Sequence, residues 1–209
     1  MIRIKHYAAG FTPNLVHDMF QAIEALDSDA SDWEAKMAIA LRHHLYLFLP
    51  PPQPVREAIA MHRDRPDVVR RRVLDEMLHT TIGAFGGFAR SPHDGIAWLI
   101  HKMGRSGLPP APRQCFDTLV RAPGHALLAP SEPLPGFDRL QLWLADRLGI
   151  DPAKWKRHIR PHVTLGYDGP SAPTVAIDPI SWTADRLLLV ESLVGLGKHL
   201  IHAEWPLAA

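Results

Sequence analysis

The same four-residue pattern, His-x-Thr-aliphatic, occurs twice in this chain of 209 residues. The copies begin at His79 and His162, and each lies in a short apolar segment of the kind that forms a strand. Residues i and i+2 of a strand point to the same face, so each histidine projects together with its threonine, Thr81 or Thr164. The intervening residue and the aliphatic residue face a core. The repeat predicts two equivalent strands that each present an imidazole and a hydroxyl.

These residue types suit the chemistry of a cyclic phosphodiester. Opening such an ester needs a base that deprotonates the attacking water and an acid that protonates the leaving oxygen, and imidazole can serve as either near neutral pH. Two histidines on opposite sides of the phosphorus favour an in-line displacement. Threonine hydroxyls can donate to the non-bridging phosphate oxygens, which stabilises charge without a metal. We interpret His79 and His162 as an acid/base pair.

Apolar periodicity, proline and glycine together predict an alternation of short strands and helices. Prolines cluster within residues 50–54 and 109–112, where they end elements because proline cannot continue a helix or donate to a strand ladder. The predicted strands cover residues 44–49, 77–85, 114–120, 125–128, 162–167, 174–182, 186–193 and 199–205, and the predicted helices cover residues 54–65, 93–104 and 137–148. This mixture predicts an α+β fold or a mixed sheet. Residues 1–40 are interpreted as an N-terminal helical appendage and residues 41–209 as the main domain.

Composition restricts the compartment and the partners. A net charge of +1 argues against a protein that neutralises many phosphates of duplex DNA. Cys115 is the only cysteine, so neither an intrachain disulfide nor a thiolate metal cluster can form, which fits a reducing compartment. No run approaches the about 18 apolar residues that span a bilayer, and the first residues lack the apolar region of a secretory signal. We expect a cytoplasmic protein that does not associate with membranes.

With its flanking residues, the repeat resembles the signature of the 2H phosphoesterase superfamily, in its bacterial 2'-5' RNA ligase and RNA 2',3'-cyclic phosphodiesterase (LigT-like) branch. The similarity includes an opening strand that ends in proline, from Tyr46 to Pro51, and a first motif that runs from Leu78 to Gly86. It continues through Arg160–Tyr167 and through a closing block from Ile180 to Leu207. It covers about residues 43–207 and leaves the first forty outside.

The resemblance implies a two-lobed α+β fold with pseudo-twofold symmetry, in which antiparallel-rich sheets line a central groove and each lobe supplies one His-x-Thr strand. It implies metal-independent hydrolysis of terminal 2',3'-cyclic phosphates of RNA to 2'-phosphomonoesters, and in some members the joining of RNA ends through 2'-5' bonds. It also implies that His79 is the general acid and His162 the base. No cofactor or metal is expected, and the partner is expected to be an RNA end or nucleotide with a cyclic phosphate, bound by a monomer.

The chain departs from the family pattern after each motif. Gly83 and Ala84 stand where a basic or aromatic pair is common, and Gly166 and Tyr167 stand where many relatives have an arginine that grips phosphate. Tyr167 could instead hydrogen-bond a phosphate or stack on a base, and Arg160 could compensate for the lost charge. The departures leave open a second hypothesis, a catalytically weak nucleotide or RNA-end binding module on the same fold. A third, 2'-5' ligation as the physiological role, uses the same acid and base.

Other polar and aromatic residues have competing interpretations. Tyr46 and Phe48 could line the groove and stack on a base, or belong to the core. The basic run Arg70–Arg72 is interpreted as a solvated helix face that could also guide RNA toward the site. His199 and His202 flank the last predicted strand and are not expected to be catalytic, and the remaining histidines lack the spacings of a zinc site. The candidate substrate-binding residues are Tyr46, Thr81, Thr164 and Tyr167.

Overall fold

Short strands alternate with three helices in the part of the chain that the structure, a computed structural model, describes: residues 42–104, 107, 110–152 and 159–208. The elements are β1 (His43–Leu49), α1 (Gln53–Arg63), β2 (Arg71–Arg72), a 3-10 helix (Asp75–Met77), β3 (Thr80–Phe88), α2 (His93–Met103), β4 (Arg113–Ala122), β5 (His125–Ala129), α3 (Pro135–Leu148), β6 (Val163–Tyr167), β7 (Ala172–Thr183), β8 (Arg186–Leu193) and β9 (Lys198–Pro206). The predicted appendage of residues 1–40 lies outside the described residues. None of the helices in these ranges is long and apolar enough to cross a membrane.

The strands form one large antiparallel sheet. Their order is β7-β4-β5-β6-β3-β1-β8-β9, and β2 pairs with β6 next to the start of β3. Neighbouring strands of this path run antiparallel throughout. The predicted α+β class with antiparallel-rich sheets is confirmed, whereas pseudo-twofold symmetry stays a prediction.

The two larger hydrophobic cores divide the sheet into two lobes. The first core packs β1, β3, β8 and β9 against α2 and α3, and the second packs β4, β5, β6 and β7 against α1. In β1, the alternate side chains of Leu45, Leu47 and Leu49 are fully buried in the first core. Each such side chain stabilises the fold by about 1.5–3 kcal/mol through its burial. The lobes meet where Thr80 of β3 pairs with Val163 of β6.

Most predicted elements lie within a few residues of their predicted bounds, but the two motif histidines precede their strands. Asp75–Met77 form a 3-10 helix, which Leu78 closes through its N–H to the Asp75 carbonyl. The strand predicted over 77–85 therefore begins only at Thr80, and β6 begins one residue after His162. The prediction that both histidines lie inside strands is wrong by one residue in each case, because the ladder between the lobes begins with the residue that follows each histidine.

The basic run Arg70–Arg72 does not belong to a helix, so that prediction is wrong. Arg71 and Arg72 form β2, which extends the ladder along β6. The N–H of Arg70 donates to the Tyr167 carbonyl at 3.2 Å, and the N–H of Val73 donates to the Leu165 carbonyl at 2.9 Å. Arginine has no strong strand preference, and this strand forms because the backbone groups of a distant segment accept its hydrogen bonds.

A buried carboxylate lies on the helix-covered face of the sheet. Glu191 of β8 has 1% of its side chain exposed and accepts hydrogen bonds from His43 Nδ1 at 2.5 Å, His202 Nε2 at 2.7 Å and Ser91 Oγ at 3.0 Å. Burial raises the pKa of Glu191, but these three donors outweigh it and lower the pKa below its ordinary value. Within the described residues, no group of three or more His, Cys, Asp or Glu side chains is arranged to hold a metal. The cluster is thus interpreted as a support for β1, β8 and β9.

Glu191→Gln is expected to lower the free energy of unfolding by about 1–3 kcal/mol at pH 7, because an amide leaves two half-buried imidazoles without their charged acceptor. Because the pKa of Glu191 is lower in the native protein than in the unfolded chain, the unfolded chain takes up the proton first as the pH falls. The contribution of Glu191 is therefore present above pH 4.5, the ordinary pKa of a glutamate, and is lost as the pH falls below it. Denaturant unfolding at several pH values measures both effects. Glu204→Gln, at an exposed position of β9, is the control, and equal losses in the two variants would contradict the prediction.

Candidate active site

The two His-x-Thr motifs meet on one face of the sheet, at the junction between the lobes. Thr80 pairs with Val163, and both side chains are fully buried on the core side. Because side chains alternate along each strand, the residues on either side of this pair face the other way. The antiparallel register places the histidine of each motif opposite the threonine of the other. We call this side of the sheet the groove face, and the four partly exposed motif residues on it are His79, Thr81, His162 and Thr164.

Both histidines make the same hydrogen bond to their own backbone. Nδ1 of His79 donates to the carbonyl oxygen of Met77 at 2.6 Å, and Nδ1 of His162 donates to the carbonyl oxygen of Arg160 at 2.8 Å. A carbonyl oxygen only accepts, so the proton of each neutral ring lies on Nδ1 and Nε2 carries the lone pair. Nε2 is therefore the atom through which each imidazole can exchange a proton with a ligand.

His79 lies between two other rings. Phe48 stacks on it with 3.5 Å between the ring centroids, and His199 lies edge-on with 5.6 Å between the centroids. Burial lowers the pKa of His79 to about 3; the hydrogen bond to Met77 opposes this, and the charges of His199 and His162 add to it. The side chain keeps part of its surface exposed, but in the free protein it is neutral at pH 7.

His199 is a groove residue, although no sequence pattern predicts it there. Its ring lies 5.3 Å from the ring of Phe48, in addition to its contact with His79. It pairs across β8 and β9 with Ser192, which places it on the groove face. Burial lowers the pKa of His199. His199 is recognised as a neighbour of the two motif histidines only from the strand order, in which β8 alone separates β9 from β1.

A row of aromatic rings extends from His79 along β1. The Tyr46 and Phe48 rings are stacked with 5.3 Å between their centroids, and the His44 and Tyr46 rings are stacked at 6.0 Å. Phe48 is buried, and the ring of His79 covers it. Burial, and to a lesser degree the charge of Tyr167, raises the pKa of Tyr46 to about 12. Tyr46 thus lies on the groove face as a neutral hydroxyl, within electrostatic range of Tyr167 from the other lobe.

A β-bulge directs Tyr167 toward the groove. Strict alternation in β6 would send Tyr167 to the face opposite that of Thr164. Between Thr164 and Gly166, however, β6 advances by two residues while its partner β5 advances by one. Leu165 is the extra residue, and an extra residue reverses the alternation that follows it. Tyr167, 42% exposed, therefore shares the groove face with Thr164. Its placement there is consistent with the prediction that it lines the site.

Comparison with known proteins identifies the fold. No protein-family model and no curated protein matches the sequence. Among solved structures, the chain is similar to Escherichia coli LigT complexed with 3'-AMP, with a TM-score of 0.58 and 20% identity over 81% of this chain and 99% of LigT. LigT complexed with NADP+ gives 0.58 and 22% over 80% and 99%, and TT0787 of Thermus thermophilus gives 0.58 and 22% over 78% and 97%. The chain has the fold of LigT and related phosphoesterases.

Proposed function

We propose that this protein is a 2H phosphoesterase that opens the 2',3'-cyclic phosphate at an RNA end to a 2'-phosphomonoester. One observation carries the proposal: two imidazoles, each with Nδ1 bound to the carbonyl two residues earlier, present Nε2 on one face beside two threonine hydroxyls. A phosphoesterase-type function agrees with the fold. The substrate is proposed from the chemistry of this pair, which supplies one proton acceptor and one proton donor.

The reaction is an in-line displacement at phosphorus. Water attacks the phosphorus and loses a proton to the base, while the bond between phosphorus and O3' breaks and O3' takes a proton from the acid. The hydroxyls of Thr81 and Thr164 donate to the non-bridging oxygens, where negative charge develops. The product is a 2'-phosphomonoester, and each imidazole ends in the protonation state that the other had at the start.

We assign the base to His79 and the acid to His162, the reverse of the order that the resemblance implies. Burial beside Phe48 and His199 opposes a positive charge on His79, so its Nε2 lone pair is available in the free protein. His162, oriented by an exposed hydrogen bond, is the other imidazole of the pair and takes the role of acid. A base must begin neutral, and the surroundings of His79 favour that role.

Tyr46 and Tyr167 are proposed to bind the nucleotide part of the substrate. They lie on the groove face, one from each lobe. LigT has been solved with 3'-AMP, with NADP+ and with phosphate, which supports a nucleotide-binding groove on this fold. Ligation through 2'-5' bonds would use the same acid and base in the opposite direction.

The purified protein is expected to hydrolyse a nucleoside 2',3'-cyclic phosphate in the presence of EDTA. The logarithm of kcat/KM plotted against pH should be bell-shaped, and its acidic limb should lie far below 6.5, because the pKa of free His79 is about 3. Product separation by chromatography, with the 2'- and 3'-phosphomonoesters as standards, gives both the rate and the position of the phosphate. Nucleotide binding without any product would instead support the binding module.

A further inference from the structure

β2 carries an arginine on the groove face of the sheet. Arg71 pairs with Tyr167, and residues that are directly opposite each other in an antiparallel pair share a face. Because the bulge directs Tyr167 into the groove, Arg71 also lies on the face that carries the two histidines. Its guanidinium carbon lies 5.0 Å from the centroid of the Tyr167 ring, which is cation–π distance.

The charge of Arg71 is available to a ligand. The neighbouring arginines Arg63 and Arg121 are 8% and 13% exposed and pair with Asp64 and Asp67 at 2.8 and 2.9 Å. In the described part of the chain, the ion pair of Arg71 is with Asp168 at 3.5 Å, and the two side chains are 71% and 62% exposed. An exposed pair of this kind contributes little free energy, so that a phosphate can replace the carboxylate at small cost.

The backbone of β2 is fixed although the Arg71 side chain is exposed. A Cβ atom at Gly166 would lie 2.4 Å from the Arg71 carbonyl oxygen and 2.9 Å from Val69 Cγ2. Only a glycine permits so close an approach of the two chains. With the backbone hydrogen bonds on either side of β2, this contact holds the Cα of Arg71 against β6, so the guanidinium extends from a defined position.

This position lies to one side of the acid/base pair. Because Leu165 is the extra residue of the bulge, Tyr167 lies two ladder positions beyond Thr164, which is roughly 7 Å at about 3.4 Å per residue. The reacting phosphate belongs beside the histidines and threonines, so the guanidinium has room for a second phosphate further along the groove. Guanidinium groups bind phosphate oxygens in a bidentate fashion while they rest on an aromatic ring.

We propose that Arg71, resting on Tyr167, binds the phosphodiester that precedes the terminal cyclic phosphate, so that the substrate is an oligonucleotide chain in preference to a mononucleotide. This rests on the proposed function and specifies its substrate class. A mononucleotide lacks the preceding phosphate and gains nothing from Arg71. A dinucleotide with a cyclic end is the smallest substrate that reaches it.

The test compares a nucleoside 2',3'-cyclic phosphate with a dinucleotide that ends in the same cyclic phosphate. For each protein, the ratio of kcat/KM for the dinucleotide to kcat/KM for the mononucleotide is measured. Arg71→Gln is expected to lower this ratio about tenfold, the effect of one charge-assisted contact. The slope of log(kcat/KM) for the dinucleotide against log salt concentration should become shallower by roughly 0.7. The matched control is Arg72→Gln, which removes the same charge from the same strand on the opposite face and should leave the ratio unchanged.

The outcomes separate this inference from the proposed function. An unchanged ratio in Arg71→Gln, or an equal fall in Arg72→Gln, overturns the role of Arg71 while the phosphodiesterase activity stands. If the wild-type protein hydrolyses neither substrate, the proposed function fails. In that case the affinities of the same three proteins for a 3'-phosphorylated dinucleotide and for a nucleoside 3'-monophosphate test the subsite. Arg71→Gln is expected to lower the ratio of the dinucleotide affinity to the mononucleotide affinity about tenfold, and Arg72→Gln is expected to leave it unchanged. Thermal unfolding of each variant establishes that all three are folded.

Discussion

Replacement of either His79 or His162 by alanine is expected to lower kcat/KM for a nucleoside 2',3'-cyclic phosphate by about 10²–10⁴-fold, the contribution of one positioned acid or base. Each variant keeps one Nε2 on the groove face but loses a partner for one of the two proton transfers. The double variant should be little worse than the single ones, because groups that act as a unit are not additive. Steady-state hydrolysis rates measure this directly.

The control for this experiment is His101→Ala. His101 is exposed on α2, so its replacement removes an imidazole without touching the groove. Thermal unfolding of all variants separates loss of chemistry from loss of fold. Wild-type rates in a folded His79→Ala protein would refute the acid/base pair, and rates that fall equally in His101→Ala would show that the assay reports something other than the groove.

A substrate with a nitrophenolate leaving group is expected to separate the two roles. Nitrophenolate departs without a proton, so the acid contributes little, whereas the attacking water still needs the base. With His79 as base, His79→Ala should remain about 10²–10⁴-fold slower than wild type on this substrate. His162→Ala should recover to within about tenfold of wild type, although it is expected to be about 10²–10⁴-fold slower than wild type on the cyclic phosphate. Release of nitrophenolate is followed by absorbance.

The opposite outcome would assign the acid and the base the other way round. Recovery of His79→Ala together with a persistent loss of rate in His162→Ala would establish the order that the resemblance implies. It would then follow that a bound phosphate anion raises the pKa of His79 enough to protonate it. Equal losses in both variants on the activated substrate would mean that neither histidine acts as the acid, which contradicts both orders.

Local patterns predicted much of the groove. The alternation of His and Thr about a buried residue correctly places four side chains on one face, and the same rule in β1 places Tyr46 opposite the leucines. These inferences succeed because side chains alternate between the two faces of a strand, so the face of each residue can be read from the sequence of that strand alone. The pairing of the two motifs across Thr80 and Val163 lies outside that rule, because it depends on two strands from distant parts of the chain.

The features that the sequence did not predict depend on contacts between distant segments. Arg71 is in a strand because β6 offers hydrogen-bond partners there, and nothing in the three consecutive arginines indicates it. His199 contacts His79 because of the order in which β1, β8 and β9 assemble. The orientation of Tyr167 depends on the extra residue Leu165, which becomes visible only when β6 is paired with β5.

The meeting of the lobes at Thr80 and Val163 ties the proposed catalysis to the alignment of two separately packed halves. One histidine extends from the half that α2 and α3 cover, and the other from the half that α1 covers. A small rotation of one half against the other changes the separation of the two Nε2 atoms while each core stays intact. The turnover rate can therefore register a disturbance at Leu47 or Phe116, deep in either half, before any loss of secondary structure is seen.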